Sequence, residues 1–369
     1  MLALLSLCVW IYLCLAHGWF WRSRPQLAAA APEEFPDVDI IVPARNEAET
    51  IQTVVASLLA QQYAGKFNLI LVDDNSDDGT AALAGKAALA GAAAGLRVMR
   101  LDSKPAGWSG KLWALHQGIA AGHAPIVLLT DADIVHEPTH LASLLAKLQA
   151  SRLDMVSEMV RLNCASLAER MLVPAFVYFF QMLYPFSRVN DPRSAVAAAA
   201  GGTVLIRRDA LDRIGGIESI KTALIDDVAL AKAVKRGGPI YLGHSQLAES
   251  IRRYPQFQDL WHMIARTAFT QLRYSAGLLL LTVAALTLIW LVPPWQALFA
   301  AGWRGYCGMA ACLLAAASYL PTLLRYRRNP LWALSLPLIA LFYMAATIAS
   351  ALNFWRGRGA NWKNRAYRA

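Results

Sequence analysis

"APIVLLTDADI", residues 124–134, sets an apolar run directly against two carboxylates one residue apart. The run reads as a buried strand, and Asp131 and Asp133 follow it at once. Like charges that close repel unless water or a cation stands between them. One reading is a loop cap, because Asp is common where strands end. The other is a divalent-cation site. The rest of the chain decides between them.

Working outward, residues 35 to about 240 alternate strand-like runs with helical patterns. "VDIIVPA" precedes a helical stretch from Glu47 to Gln62; "FNLILVDD" precedes an Ala-rich helix; "LRVMRL" precedes a helix from Lys111. Such alternation predicts a mostly parallel sheet covered on both faces. Ligands of such sheets bind at the carboxyl ends of the strands. The polar clusters fall there: "PARNE" after the first strand, "DDNSDDGT" after the second, "TDAD" after the fourth. Three polar turns on one sheet edge favour the cation site over caps alone.

Five ordered motifs carry a resemblance: "IIVPARNEAETI", "LILVDDNSDDGT", "GKLWALHQGI", "LLTDADI" and "GGTVLIRRDAL…IGG…LIDDVALAKAVKRGG". Over residues 38 to 275 the chain resembles family-2 glycosyltransferases. That implies an α/β GT-A fold, Rossmann-like with a mostly parallel sheet. Within the family, "LYPFSRVNDPRSAVAAAAGG" and an apolar segment ahead of the domain are most similar to hopene-associated membrane glycosyltransferases.

The resemblance assigns roles that the chemistry of the side chains can meet. A nucleotide-sugar donor leaves as a diphosphate, and Mg2+ or Mn2+ takes oxygen ligands while bridging phosphates. It implies Asp133 as direct metal ligand, with Asp131 reaching the ribose or a metal-bound water. Asp73 and Asp74 would hold base and ribose, or else close an Asx turn, the role left to Asp77 and Asp78. Pro43, Arg45 and Glu47 line the first turn, with Pro43 shaping it. Lys111 would approach the diphosphate as a point charge, or be a solvated helix-start lysine. Gly201 and Gly202 are placed by the same resemblance at the substrate site. The acceptor hydroxyl must lose its proton, so a carboxylate base is needed. Position assigns it to Asp227, with Asp226 beside it, although helix N-termini favour acidic residues anyway. The family typically has Glu-Asp here. Direct displacement with a single base implies inversion. Relatives carry Gln-x-x-Arg-Trp further on; here "TQLRYS" has one residue fewer, leaving Arg273 a weak match for assisting the leaving group. "HEPTH", residues 136–140, imitates a zinc motif, but Pro138 in the first turn of a following helix leaves His136 outside it.

The chain is 369 residues, 57% hydrophobic, with net charge +10. No acidic residue follows Asp259, so the basic excess punctuates apolar stretches, as in membrane proteins rather than nucleic-acid binders. Residues 1–21 carry no charge and read as a membrane anchor, with Arg22 and Arg24 setting its end in the cytoplasm. A cleaved signal peptide would carry its charges ahead of the apolar core. Residues 256–275 read as an interfacial amphipathic segment with Trp261 and Phe269 facing lipid. Within 276–355 lie three further uncharged stretches. "RYRRNP" and the basic tail 356–369 both read as cytoplasmic, which requires one stretch to be re-entrant unless the tail lies outside. Five cysteines show neither metal nor disulfide spacing.

These readings converge on an inverting, metal-dependent glycosyltransferase of the inner membrane. Its catalytic domain, residues 35–255, faces the cytoplasm and acts on a lipid acceptor, a hopanoid by resemblance. The rivals are a processive polysaccharide synthase and an inactive membrane scaffold with the same fold.

Overall fold

The computed structural model describes residues 1–90, 95–357, 361–362 and 365–366. The chain divides into two compact units: Pro25–Asn163 with Arg188–Arg253, and Met1–Arg24 with Cys164–Ser187 and Tyr254–Ala369.

The first unit is built on an eight-stranded sheet: β1 Val38–Ala44, β2 Phe67–Asp73, β3 Leu96–Arg100, β4 Ile126–Thr130, β5 Ile134–His136, β6 Met155–Arg161, β7 Thr203–Arg207 and β8 Ile240–Ser250. Their order is β3-β2-β1-β4-β7-β6-β8-β5. β3, β2, β1 and β4 run parallel, as the alternation of strands and helices predicts. Beyond β4 the sheet is mixed, since β7 is antiparallel to both β4 and β6, and β5 to β8. The expected mostly parallel sheet is therefore a mixed GT-A sheet. Helices also separate β5, β6, β7 and β8 along the chain, so the alternation of strands and helices does not distinguish the antiparallel pairs from the parallel ones.

Two details of this sheet create the site. β1 pairs with β2 as far as Ala44–Asp73, but with β4 only as far as Ile41–Leu129. Pro43, which has no N–H, falls where β1 and β4 have already parted, so no ladder bond to β4 is lost. The split opens a crevice at the carboxyl ends of the strands. The chain then leaves β4 through "TDAD" and joins β8 at the far edge, pairing Ile134 with Ser250. Helix Gly110–Ala120 lies on β1 and β2. Its close approach needs Gly118, because a Cβ there would run into Ile41. Its N-cap is Ser109, whose Oγ accepts from Leu112 N at 3.1 Å.

The second unit is helical and apolar. Ala276–Phe299, Trp303–Arg325 and Pro330–Trp355 are long and apolar enough to cross a membrane. The expected span over residues 1–21 is shorter: helix Leu2–Leu15 stops ahead of Gly18, which takes φ +65°. At 1.5 Å per residue its 14 residues reach about 21 Å, against about 30 Å of hydrocarbon. Its Trp10 has a defined job. Pro293 lacks the N–H that would bond the carbonyl of Ile289, and Trp10 Nε1 donates to that carbonyl at 2.9 Å. Amphipathic helix Phe257–Gln271 is present, but Phe269 is buried against Leu279 and Ala351 rather than facing lipid. Aromatic neighbours Tyr274, Phe354 and Trp355 surround its ring, and no periodicity rule separates such a pocket from lipid. The basic tail beyond Gly357 lies outside the described residues, save for the backbone pairing of 361–362 with 365–366.

Candidate active site

The crevice collects Pro43, Lys111, Asp131, Gly201, Asp226 and Asp227. Lys111, in the first turn of its helix, stands at the centre. Its Nζ lies 2.8 Å from Asp131 Oδ1 and 3.3 Å from Asp226 Oδ2. Burial opposes the ammonium charge, but the carboxylates of Asp131 and Asp226 outweigh burial and hold Lys111 protonated far above its ordinary range. The reading of a solvated helix-start lysine does not hold.

Asp226 and Asp227 open helix Asp226–Lys235, whose N-cap Ile225 offers no capping side chain. Asp227 Oδ2 accepts from Gly201 N at 3.0 Å, and Oδ1 from Val228 N at 2.7 Å. Burial and the charge of Asp226 nevertheless push Asp227 up to about 7, against the pull of Lys111 and these two amides. A carboxylate poised there divides its time between proton acceptor and donor at cellular pH. Burial likewise raises Asp131, with Asp133 and Asp226 adding to it and Lys111 opposing. Gly202 O accepts from Thr130 Oγ1 at 2.9 Å, so the glycine pair supports both the Asp131 turn and Asp227.

Asp131 and Asp133 point to different partners. The Asp131 side chain stays 35% exposed, whereas Asp133 is buried and ion-paired with Arg252 Nε. Arg252 Nη2 also holds Glu47 Oε1 at 2.7 Å. Arg252 was missed in the sequence. Only the β5–β8 pairing, continued by Ile251 N to Asp133 O at 2.9 Å, brings it beside "TDAD". Asp73 and Asp74, also buried, sit in a third network. Asp73 binds Ser76 N at 3.2 Å and lies 3.4 Å from Arg100, while Asp74 lies 3.7 Å from Arg45. Asp73 thus also closes the turn, and Asp78 caps Thr80 N at 3.0 Å while accepting from Ala48 N. Arg273 belongs to the other unit, exposed in a turn at φ +52°.

Among the described residues no group of three or more His, Cys, Asp or Glu wraps a metal unaided. The donor set still fits a hard cation of the Mg2+ or Mn2+ type. Such ions bind through one or two carboxylates and take their other oxygens from phosphate and water. Asp131 offers a carboxylate that is partly exposed although paired with Lys111, and Asp133 a second one at present engaged by Arg252.

"HEPTH" is no zinc site. His136 ends β5, and His140 opens helix His140–Ala150, so Pro138 precedes that helix instead of lying in its first turn. The two rings form a buried relay: Glu158 to His140 at 2.7 Å, His140 to His136 at 2.8 Å, His136 to Thr130 at 3.0 Å. Burial lowers His140 to about 3, so the relay is uncharged at the histidines.

A mixed sheet of this order, with helices packed against it and carboxylates at the parted strand ends, is a GT-A fold. Residues 39–215 match the family model described as glycosyl transferase family 2. Among curated proteins it is 36% identical over 121 residues to succinoglycan biosynthesis protein ExoU of Rhizobium meliloti, covering 33% of this chain and 32% of that one. It is 27% identical over 131 residues to dodecaprenyl-phosphate galacturonate synthase of Rhizobium johnstonii (34% and 36% covered). Against beta-monoglucosyldiacylglycerol synthase of Synechocystis the identity is 26% over 249 residues (58% and 49%). The chain thus spans a third to a half of the length of these relatives. Among solved structures, mannosyltransferase PcManGT from Pyrobaculum calidifontis, in complex with GDP-Man and Mn2+, shares the fold. That match has a TM-score of 0.60 at 20% identity, with 96% of this chain and 98% of that one covered.

Proposed function

We propose that the chain transfers a sugar from a nucleotide-sugar donor to a membrane lipid, inverting the anomeric carbon, with Asp227 as the base. The observation that carries this reading is the raised Asp227 carboxylate, held by Gly201 N beside the Lys111–Asp131 pair. In this assignment Asp227 takes the acceptor hydroxyl's proton, and Lys111 lies ready as fixed positive charge for the departing diphosphate. Asp226 keeps Lys111 in place and keeps Asp227 basic. Pro43, Gly201 and Gly202 shape the crevice, while Arg45, Asp73 and Asp74 form the nucleotide side. Mg2+ or Mn2+, held by Asp131 and Asp133, would supply further charge for the diphosphate.

The lipid acceptor is supported by three apolar helices of membrane-spanning length and by relatives named for lipid-linked products. A hopanoid is the acceptor that the motif resemblance favours. The domain assignment that goes with it is an anchor at 1–21, a catalytic domain at 35–255, an interfacial segment at 256–275, membrane segments at 276–355 and a basic tail at 356–369. Arg22 and Arg24 favour a cytoplasmic catalytic domain in the inner membrane. Thermal stabilisation of the purified protein by a panel of nucleotide sugars in Mn2+ tests the donor. One sugar nucleotide should raise the melting temperature well above the rest, and no response to any of them would remove the reading.

A further inference from the structure

Asp133 and Glu47 are both buried, and one guanidinium serves both. Arg252 gives Nε to Asp133 and Nη2 to Glu47, while about a third of its own side chain remains open (32%). A buried carboxylate stripped of its cation is unstable, so Asp133 cannot leave Arg252 without finding another positive charge. Asp131, one turn-residue away, faces the crevice and Lys111 instead. The "TDAD" turn therefore offers one carboxylate to the crevice, beside Lys111, and keeps the other buried under Arg252.

We propose that Arg252 is a positioning residue that competes with the divalent cation for Asp133. In the empty site its fork locks the turn after β4 to the turn after β1, through Asp133 and Glu47. Cation binding exchanges the Arg252–Asp133 pair for a metal–carboxylate bond, leaving Arg252 on Glu47 with its open side toward solvent. The fork matters: only a planar, two-armed cation reaches both acids at once. The inference rests on the metal-dependent reading above, and adds that metal affinity is set in part by a protein cation paired with Asp133.

The test is binding of Mn2+ alone to the full-length protein in detergent, followed by the loss of the free-ion electron paramagnetic resonance signal. R252Q should bind Mn2+ about tenfold more tightly than the unaltered protein, the equivalent of one charge-assisted hydrogen bond no longer opposed. A merely structural arginine would give the opposite sign. The gain must run through Asp133, so D133N/R252Q should bind no more tightly than D133N. Equal or weaker binding in R252Q, or a gain that survives D133N, overturns the proposal. Should R252Q fail to fold, R252K decides: it keeps the charge and loses the fork, and tighter binding than in the unaltered protein supports the competition while equal or weaker binding refutes it. Absence of Mn2+ binding in every form removes the metal reading and this inference together. Binding in the unaltered protein that ignores Arg252 removes the inference alone.

Discussion

Replacing Asp227 by Asn keeps the shape of the side chain and removes its capacity to accept a proton. Its two oxygens now take hydrogen bonds from Gly201 N and Val228 N, at 3.0 and 2.7 Å. The amide can keep one of them through its own oxygen, so the crevice should persist and donor binding with it. Loss of a general base lowers transfer by about 10²–10⁴-fold, or roughly 3–5 kcal/mol of barrier. The raised Asp227 carboxylate also sets the expected pH dependence. With Asp227 at about 7, the active, ionised fraction falls about tenfold per unit below that value. Turnover should therefore rise between pH 5 and 7 and level off near 8. Asp226→Asn removes one of the charges that raise Asp227, so this limb should move to lower pH. A folded value above the ordinary 3.8 also means that ionised Asp227 weakens the fold as pH rises from about 4 through 7. D227N should accordingly gain melting temperature relative to the unaltered protein as pH increases. Steady-state profiles with donor at saturation, plus melts at pH 5 and pH 8, measure all three. A flat profile from pH 5 to 8, or an inactive D226N beside an active D227N, would refute the assignment of the base.

Other substitutions probe the same architecture. Lys111→Met strands Asp131 and Asp226 without their cation, so both the melting temperature and donor affinity should fall; unchanged donor affinity in calorimetry would take Lys111 out of the site. Asp39→Ala leaves Arg208, now 2.9 Å from that carboxylate, as an uncompensated charge. The loss should be about 3–5 kcal/mol in denaturant unfolding, and a change under 1 kcal/mol would contradict the buried-pair account. Trp10→Phe preserves the ring but not the donor to Ile289 O; about 1 kcal/mol of destabilisation in detergent is expected, and none if water satisfies that carbonyl. Cysteines at Arg24 and Asn329 should both resist a membrane-impermeant reagent in intact cells, and labelling of Arg24→Cys would invert the orientation of the catalytic domain.

Local sequence revealed the half of the fold whose strands announce themselves. β1, β2, β3 and β4 follow one another with helices between, and their polar ends carry Glu47, Asp73, Asp131 and Asp133 in plain view. What stayed hidden depends on pairing between distant segments. β8 lies beside β5 across more than a hundred residues of chain, and that register alone delivers Arg252 to Asp133. Sequence placed Asp133 at a cation site without showing that a protein cation already occupies it. Lys111 also allows a solvent-facing reading, because nothing local reveals that Asp226 lies 3.3 Å away. Phe269 has the spacing of a lipid-facing residue, and only the aromatic cluster around it turns the side chain inward.

The proposed reaction moves sugar onto a lipid at the Asp227 crevice. The direct measurement is transfer of radiolabelled sugar into an organic-extractable lipid by the full-length protein in liposomes, with Mn2+ and the nucleotide sugar that stabilises it. Labelled lipid is expected from the unaltered protein, with at least about a hundredfold less from D227N and equal donor binding by both. Labelled lipid formed at equal rates by the two proteins, or release of nucleotide with no labelled lipid at all, would contradict it.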